Sequence, residues 1–164
     1  MSQNDREQRL ADQPKVKCFG SKAALCAEAT FITKDSAPPV PTINLEVAPR
    51  IAESVAWDRK VVMQLSDSEL PLVCAVLMGY IPKLHLKRPD KGIELERQVN
   101  KIFVRASAGS GNLFALPITI GDTFRLSTLL LRQLKAQSGI SDETLVLAAL
   151  RGASSLFSKE NSSF

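Results

Sequence analysis

The chain contains few of the residues on which most catalytic and metal sites depend. Its 164 residues include one histidine, one tryptophan, one tyrosine and three cysteines. A single histidine, His85, provides neither a Ser-His-Asp triad nor a histidine-rich metal site, and three scattered cysteines without a C-x-x-C pair do not form a zinc site. The run SAGSG (107–111) lacks the lysine of a phosphate loop and precedes a predicted strand instead of a helix. We therefore expect no enzymatic activity, no metal and no cofactor.

Long apolar runs are also missing, because no segment approaches the roughly 18 consecutive apolar residues of a membrane span. The N-terminal residues MSQNDREQRLADQP are polar and of mixed charge, unlike a secretion signal or a transit peptide. These features predict a cytoplasmic protein, nucleoid-associated if bacterial, or one whose targeting segment has been removed. Cys18, Cys26 and Cys74 are then expected to be reduced, partly buried thiols.

The overall composition is that of one globular domain, with 45% hydrophobic and 23% charged residues. A net charge of +4 and a pI near 9.1 are compatible with a polyanionic partner but do not require one. The position of the positive charges therefore matters more than their sum. We expect a disordered segment at 1–14, one domain over 15–152 and a flexible tail at 153–164.

Hydrophobic periodicity predicts four strands followed by a helix in the first half of the chain. The extended segments lie at 15–20, 23–32, 42–48 and 59–65, and the proline-rich run DSAPPVP (35–41) is predicted to be a loop. The residues that follow, S-D-S-E at 66–69, have the S-x-x-E pattern of a capping box and predict a helix over 67–79.

The same order of elements returns in the second half. Extended segments at 83–88, 92–98, 100–107 and 112–119 are joined by turns at PDKG (89–92) and AGSG (108–111). A helix over 121–137 begins near Thr119 and Asp122 and stops at Gly139, and a third helix over 142–152 has Ser141 as its predicted cap. Val61–Ser66 can be laid on Phe114–Thr119 with a constant offset, and the apolar positions of the two helices then coincide. This match favours a duplicated ββββα unit, with coincidence as the alternative.

Three of the predicted strands place positive charges on one face by strict alternation. The segments are KVK (15–17), KLHLK (83–87) and KIFVR (101–105), and in each the apolar residues point to the other face. Phe103 lies between Lys101 and Arg105 on the charged face. A solvated sheet face explains any one strand, but three such strands with an aromatic ring among the cations are typical of single-stranded nucleic-acid binding. Neither long helix offers the Arg, Asn and Gln side chains that read a double helix.

The two long helices carry wider apolar surfaces than one sheet requires. Leu72, Val73, Val76, Leu77 and Met78 lie on the first. Leu126 and the run 129–131 lie on the second. Such breadth favours burial against both a sheet and a second chain, although the core of a monomer would also account for it.

One segment resembles a known family. The run VAWDRKVVMQLSDSEL (55–70) is similar to the W-x-R-K-x-x-x-x-L-S-x-x-E segment of the Whirly proteins, single-stranded DNA-binding proteins of plants. SKAAL (21–25) is similar to the end of that family's K-G-K-A-A-L motif, of which only Lys22 carries over beside the apolar residues. LPIT (116–119) resembles its last strand. The resemblance covers about residues 15–137 and identifies the chain as a bacterial or mobile-element relative of the Whirly family.

The resemblance implies an α+β fold of two packed, four-stranded antiparallel sheets with helices behind them. It also implies a homotetramer assembled through the helices, which binds single-stranded DNA along the sheets without strong base preference. Related folds occur in the transcriptional positive cofactor four and in kinetoplastid RNA-binding proteins that anneal guide RNA. The expected nucleic-acid-binding residues are Lys15, Lys17, Phe19, Lys22, Trp57, Lys60, Lys83, His85, Lys87, Lys101, Phe103 and Arg105.

Within this set the lysines and Arg105 are expected to neutralise phosphates, and Phe103 and Phe19 to stack on bases. Trp57 either stacks on a base or anchors the core. Three alternatives stay open, namely an RNA-binding or annealing protein, a transcription cofactor, and a structural interaction module that binds no nucleic acid. The process served, whether strand protection, DNA repair or transcription regulation, is not distinguished by the sequence.

Overall fold

The computed structural model describes residues 13–109 and 112–157, and it shows an α+β fold with two antiparallel sheets and three α-helices in that part of the chain. The strands are β1 (Lys15–Phe19), β2 (Ala23–Ile32), β3 (Val40–Ile51), β4 (Ser54–Val55), β5 (Val61–Gln64), β6 (Lys83–Lys87), β7 (Lys91–Gln98), β8 (Lys101–Ala108) and β9 (Leu113–Ile118). The helices are α1 (Glu69–Leu77), α2 (Ile120–Ser138) and α3 (Glu143–Ser154), with a short 3-10 helix at Trp57–Arg59. The predicted fold class is confirmed.

The first sheet has the order β1-β2-β3, and β4 and β5 both pair with β3. β3 is longer than predicted, because it includes Pro41 opposite Phe31 and Pro49 opposite Ala23. The loop predicted for 35–41, on the ground that its prolines cannot pair in a ladder, is therefore wrong for Pro41, which lies opposite Phe31 of β2. The carbonyls of Pro41 and Pro49 accept hydrogen bonds from Gln137 and Ala56, outside the β2 ladder. The missing N–H groups therefore lie on the side away from β2, where no ladder bond is lost.

The second sheet is a simple meander, β6-β7-β8-β9, in which each strand pairs with the next one along the chain. β6 and β9 are its edges, and β7 and β8 lie inside. The strand limits follow the predicted ones within about two residues. The turn predicted at 108–111 is closed by a hydrogen bond from Ala108 N–H to the Asn112 carbonyl at 3.0 Å, and residues 110–111 lie outside the described ranges.

The core lies where the inner faces of both sheets meet α1 and α2. Leu25 and Leu45 come from the first sheet, Leu95 and Val104 from the second, and Leu126 from α2; all are buried. The sheets also contact each other directly at Gly20, where an added Cβ would lie 2.8 Å from Leu116 Cβ. The absence of a side chain at Gly20 is therefore a condition of this close approach.

Corresponding positions in the two halves are buried alike. Met63 and Leu65 on the β5 side match Leu116 and Ile118 on β9, and all four are buried. Between them, Gln64 and Pro117 are both exposed. Val73 corresponds to Leu126, and Val76–Leu77 to Leu129–Leu130, and these residues too are all buried. The offset read from the sequence thus describes two structurally equivalent ββββα units, with the short β4 as an addition to the first.

The helix caps agree with the sequence at two of three positions. In the capping box of α1, Ser66 N–H donates to Glu69 Oε1 at 3.0 Å and Glu69 N–H donates to Ser66 Oγ at 3.2 Å. At α2, Thr119 Oγ1 accepts from Asp122 N–H. The predicted cap of α3, Ser141, is wrong: Asp142 Oδ1 accepts from Thr144 N–H at 3.0 Å. Both residues are good caps, and only the backbone geometry at Asp142 selects between them.

The cysteines are buried more completely than expected. Cys18, Cys26 and Cys74 are free thiols with at most 3% of their surface exposed. Burial raises the pKa of Cys18 and of Cys74 to about 12, and it raises the pKa of Cys26 as well. The thiols are therefore held protonated inside the protein.

The predicted N-terminal and C-terminal segments fall mostly outside the described residues. Residues 1–12 and 158–164 are not described. Pro14, at the end of the segment expected to be disordered, accepts a hydrogen bond from Ala29 N–H at 2.9 Å and so extends the β1–β2 pairing. α3 continues to Ser154, two residues beyond its predicted end. Among the described residues, no helix is both long enough and apolar enough to span a bilayer.

Candidate nucleic-acid interface

The outward side of the second sheet brings half of the predicted site residues together. In an antiparallel ladder, residues that face each other across strands lie on the same side of the sheet. The register pairs His85 with Glu94 and Glu94 with Arg105, and it pairs Lys83 with Glu96 and Glu96 with Phe103. We call this surface the sheet-two face; it contains Lys83, His85, Lys87, Glu94, Glu96, Lys101, Phe103, Arg105, Leu113 and Pro117.

Arg105 occupies the middle of the sheet-two face and is held there by three contacts. Its guanidinium lies 4.7 Å from the centre of the Phe103 ring, a cation–π distance. Its Nη1 donates to Glu94 Oε1 at 3.1 Å, and its Nη2 lies 3.8 Å from Glu96 Oε1. About a third of the Arg105 side chain remains exposed, so one face of the guanidinium is covered by the ring and the other side reaches solvent.

Glu94 and Glu96 lie among the cations, on the interior strand β7. Although carboxylates that alternate on one strand are typical of a solvated strand edge, these two lie between β6 and β8. Alternation along a strand predicts the face on which a side chain lies, but only the register between strands shows which side chains are its neighbours. The role of Arg105 as a phosphate ligand stays a prediction, and a phosphate bound there would compete with two carboxylates for this guanidinium.

Gly92 has no side chain on the sheet-two face, and His85 occupies the space above it. Gly92 sits between Lys87 on β6 and Ser107 on β8. A Cβ on Gly92 would lie 3.0 Å from His85 Nε2 and 3.5 Å from Ser107 Oγ. The imidazole of His85 thus lies over the glycine, and a larger residue there would displace it.

The outward side of the first sheet carries the second group of predicted residues. We call it the sheet-one face; it contains Lys15, Lys17, Phe19, Cys26, Glu28, Asn44, Glu46, Trp57 and Lys60. Lys15, Lys17 and Phe19 alternate outward on β1, and 59% of Phe19 is exposed. Lys60 Nζ pairs with Glu46 Oε1 at 3.1 Å. The positive charge of this face is partly balanced by its own carboxylates.

Trp57 belongs to the sheet-one face and not to the core between the halves. It lies on the 3-10 helix that follows β4, and Lys17 Nζ is 5.4 Å from its ring centre. The residue is half-buried. Trp57 belongs neither to the core cluster nor to the apolar residues packed against it, so the first of its two expected roles, stacking on a base, fits its position better than anchoring the core.

Two pockets lie between the two sheets, and the sequence did not indicate them. The first is lined by Pro49, Arg59, Asn112, Leu113 and Phe114. The second is lined by Lys60, Val62, Asp90 and Lys91, and both pockets touch Ala108. Arg59 and Lys91 are therefore candidate site residues that alternation missed, since Arg59 lies in the 3-10 helix and Lys91 begins a strand.

Lys22 is separate from both groups. It is exposed in the turn between β1 and β2, and its carbonyl accepts from Arg50 N–H at 2.9 Å. Arg50 also donates through Nε to the Gly20 carbonyl at 3.2 Å, which fixes the turn. Within residues 13–109 and 112–157, no three His, Cys, Asp or Glu side chains are grouped closely enough to hold a metal ion.

The fold defines a class of α+β proteins that present two antiparallel sheets, each followed by a helix. Neither a protein-family profile nor a curated protein sequence matches the chain. A chain from the crystal structures of Trypanosoma brucei MRP1/MRP2 is similar with a TM-score of 0.57 and 10% identity, over 78% of this chain and 96% of that one. A chain from a guide-RNA-binding protein complex bound to a guide RNA is similar with a TM-score of 0.59 and 12% identity, over 84% and 99%. At these identities the similarity shows a shared fold.

Proposed function

We propose that the protein binds single-stranded nucleic acid along the sheet-one and sheet-two faces, acts as an oligomer and catalyses no reaction. The observation that carries the proposal is the sheet-two face, where the Phe103–Arg105 stack is flanked by Lys83, Lys87 and Lys101. Lysines on the rim attract phosphates, and aromatic or guanidinium planes stack on bases. Stacking contributes about 1–3 kcal/mol per base and does not depend strongly on which base is stacked.

Single-stranded RNA is the ligand that we put first. One of the solved structures with this fold is a guide-RNA-binding complex that holds its guide RNA. The sheet-two face offers what such a ligand needs, because an unpaired strand can place its bases against the partly exposed Arg105 guanidinium that covers Phe103, while its phosphates reach the lysines. An RNA-annealing role would use the same surface.

Single-stranded DNA is the second candidate, supported by the resemblance of residues 55–70 to the Whirly proteins. Trp57 and Lys60, which match the W and K of the Whirly segment, lie on the sheet-one face, where an oligonucleotide could contact them. Nothing in either face selects for or against a 2′-hydroxyl by geometry alone, so matched oligonucleotides decide between the two ligands.

The proposed oligomer is a homotetramer joined through the helices. Several large apolar side chains on the helices are exposed in the single chain, among them Leu72 on α1, Phe124 on α2 and Leu145 on α3, with 43%, 70% and 53% of their surface accessible. Exposed apolar surface of this kind is expected to be covered by another copy. Scattering mass measures the state directly, and a monomer at micromolar concentration would contradict it.

The test is fluorescence anisotropy with labelled RNA and DNA single strands and a duplex of the same mixed sequence, over a series of salt concentrations. We expect the single strands to bind more tightly than the duplex, with RNA at least equal to DNA. The logarithm of the binding constant should fall with the logarithm of salt by about 0.7 per phosphate contacted.

A charge-matched pair of variants locates the site. Lys83→Ala with Lys87→Ala removes two cations from the sheet-two face, and Lys34→Ala with Arg132→Ala removes two exposed cations elsewhere. We expect the first pair to reduce the salt slope and the second to leave it unchanged. No retention of any single strand at moderate salt, by a protein that is folded and oligomeric, would refute the proposal and favour a structural interaction module.

A further inference from the structure

We propose that the middle of the sheet-two face selects bases by their exocyclic amino groups, through Glu94 and Glu96, and so favours cytosine over uracil or thymine. The inference rests on the proposed function, since it assumes that a strand lies on this face. It adds a composition preference to binding that otherwise requires no particular sequence.

The layout of the face separates a site for phosphates from a site for bases. Lys83 and Lys87 project from the edge strand β6, and the carboxylates of Glu94 and Glu96 come next, on β7. A phosphate over β7 would lie against two negative charges, so the sugar–phosphate chain is expected to follow β6. The bases then point across β7 toward β8 and β9.

The far side of the face is suited to base planes. The Phe103–Arg105 stack lies on β8, opposite Ala115 and Pro117 on β9, and 72% of Leu113 is exposed at the same edge. Two strand spacings separate β6 from β8, which is about 10 Å. A nucleotide anchored by its phosphate on β6 can therefore place its base on this apolar and π-stacked surface.

The carboxylates remain able to accept hydrogen bonds. Arg105 engages Oε1 of Glu94 at 3.1 Å, and Glu96 Oε1 accepts from Gln98 Nε2 at 2.8 Å. From the part of the chain that the structure describes, neither Oε2 atom receives a hydrogen bond. About a third of each glutamate side chain is exposed, and we expect the exposed part to include the free oxygens, which a base on this face would then reach.

The free oxygens distinguish the two pyrimidines by a single group. Cytosine presents an N4 amino donor where uracil and thymine present the O4 acceptor, and the rings are otherwise of similar size and stacking capacity. A carboxylate accepts from the amino group and is repelled by the carbonyl oxygen. Arg105 restrains both glutamates, so little side-chain freedom is lost when a base binds.

The experiment compares oligocytidylate with oligouridylate of equal length, about 16 nucleotides, by anisotropy with the wild-type oligomer at a pH where both bases are neutral. We expect oligocytidylate to bind at least about fivefold more tightly. In the Glu94→Gln, Glu96→Gln double variant the ratio should approach one, because an amide both donates and accepts. Glu143→Gln, an exposed carboxylate on α3 paired with Lys135, is the control and should keep the wild-type ratio.

The outcomes separate the two proposals. Equal binding of the two oligonucleotides by the wild-type protein overturns the inference and leaves the proposed function standing, and this comparison needs no variant to fold. A ratio that survives in the folded double variant also overturns the role of the glutamates. Failure of both oligonucleotides to bind overturns the proposed function and the inference together.

Discussion

The two halves of the chain share a backbone plan but present different outward faces. The sheet-two face is an uninterrupted meander whose middle is open, with Arg105 stacked on Phe103. On the sheet-one face, the insertion after β3 places the 3-10 helix and Trp57 beside Lys17, and Cys26 is buried although it points outward. The inward positions coincide because both halves fill one core. The outward positions are free of that requirement, and there the halves have diverged.

The helix caps differ in the same way. Glu69 of the first half both caps α1 and accepts a bidentate pair from Arg88, with Nη2 and Nη1 at 2.8 and 2.9 Å from its two oxygens. Asp122 of the second half pairs with Arg125 on its own helix at 2.7 Å, and Arg125 in turn donates to the Lys17 carbonyl on β1 at 2.9 Å. Glu69 thus connects α1 directly to the β6–β7 hairpin of the other half, whereas Asp122 is linked to the first sheet through the exposed Arg125.

The largest expected effect breaks the contact between the halves. Gly20→Ala places a Cβ 2.8 Å from Leu116 Cβ and 3.1 Å from the Ala23 carbonyl oxygen, so either the turn or β9 must move. We expect the free energy of unfolding in urea to fall by about 2–3 kcal/mol. Gly121→Ala is the control because an added Cβ there meets nothing within 4 Å. In this helix it should be neutral or stabilise by up to about 1 kcal/mol. An equal response at both positions would show that the close approach is not tight.

The next effect compares the two caps. Glu69→Gln should cost about 1–3 kcal/mol, since a bidentate, charge-assisted pair between partly buried side chains is weakened, and Asp122→Asn should cost less than about 1 kcal/mol. The hydrogen bonds from Arg88 lower the pKa of Glu69 below its ordinary value of 4.5. The stabilisation by the ionised Glu69 is therefore complete above about pH 4.5, and it is lost as the pH falls through the lowered pKa of Glu69 in the folded protein.

Urea unfolding of the wild-type protein and of both variants over a series of acidic pH values measures this difference. The difference in the free energy of unfolding between the wild-type protein and Glu69→Gln should become smaller below pH 4.5. A difference that stays constant down to the acid limit would mean that the Arg88 pair contributes nothing to stability through its charge.

The smallest effect compares the two faces as ligand surfaces. Lys15→Ala with Lys17→Ala and Lys83→Ala with Lys87→Ala each remove two cations. If every lysine contacts one phosphate, each pair should reduce the salt slope by about 1.4, which is twice 0.7, and weaken binding severalfold at moderate salt. Anisotropy titrations with one oligonucleotide measure both. A change in the salt slope for one pair only would show that the oligonucleotide binds to that face and that the two halves differ in function.

Much of the fold is encoded locally and could be predicted. β6 was predicted at 83–88 and lies at Lys83–Lys87 because K-L-H-L-K alternates without interruption, and α2 ends at Gly139 because its φ of 71° suits glycine. Where the prediction failed, the deciding partner was distant in sequence. Pro41 is accommodated in β3 because its carbonyl side faces Gln137 and not β2. Arg59, the predicted first residue of a strand over 59–65, instead ends the 3-10 helix Trp57–Arg59.

The sequence predicted that six of the candidate residues share a surface, but it did not predict how they are arranged there. Alternation assigned Lys83, His85, Lys87, Lys101, Phe103 and Arg105 to one surface, and the register places them there. It could not show that Glu94 lies between His85 and Arg105, because cross-strand neighbours depend on register. Arg59 and Lys91 were missed because the pockets that they line form only when the two sheets pack together, and packing between sheets cannot be read from alternation.

The burial of all three cysteine thiols makes the protein convenient for site-specific chemistry. The thiolate is the form of cysteine that attacks alkylating reagents, and burial keeps Cys18, Cys26 and Cys74 protonated and inaccessible. A cysteine introduced at an exposed position, such as Lys34 in the loop before β3, would then be the one group that a maleimide dye modifies in the folded state. Fluorescent or spin-labelled protein can thus be prepared without first replacing the native cysteines, and reaction of the native thiols would itself report unfolding.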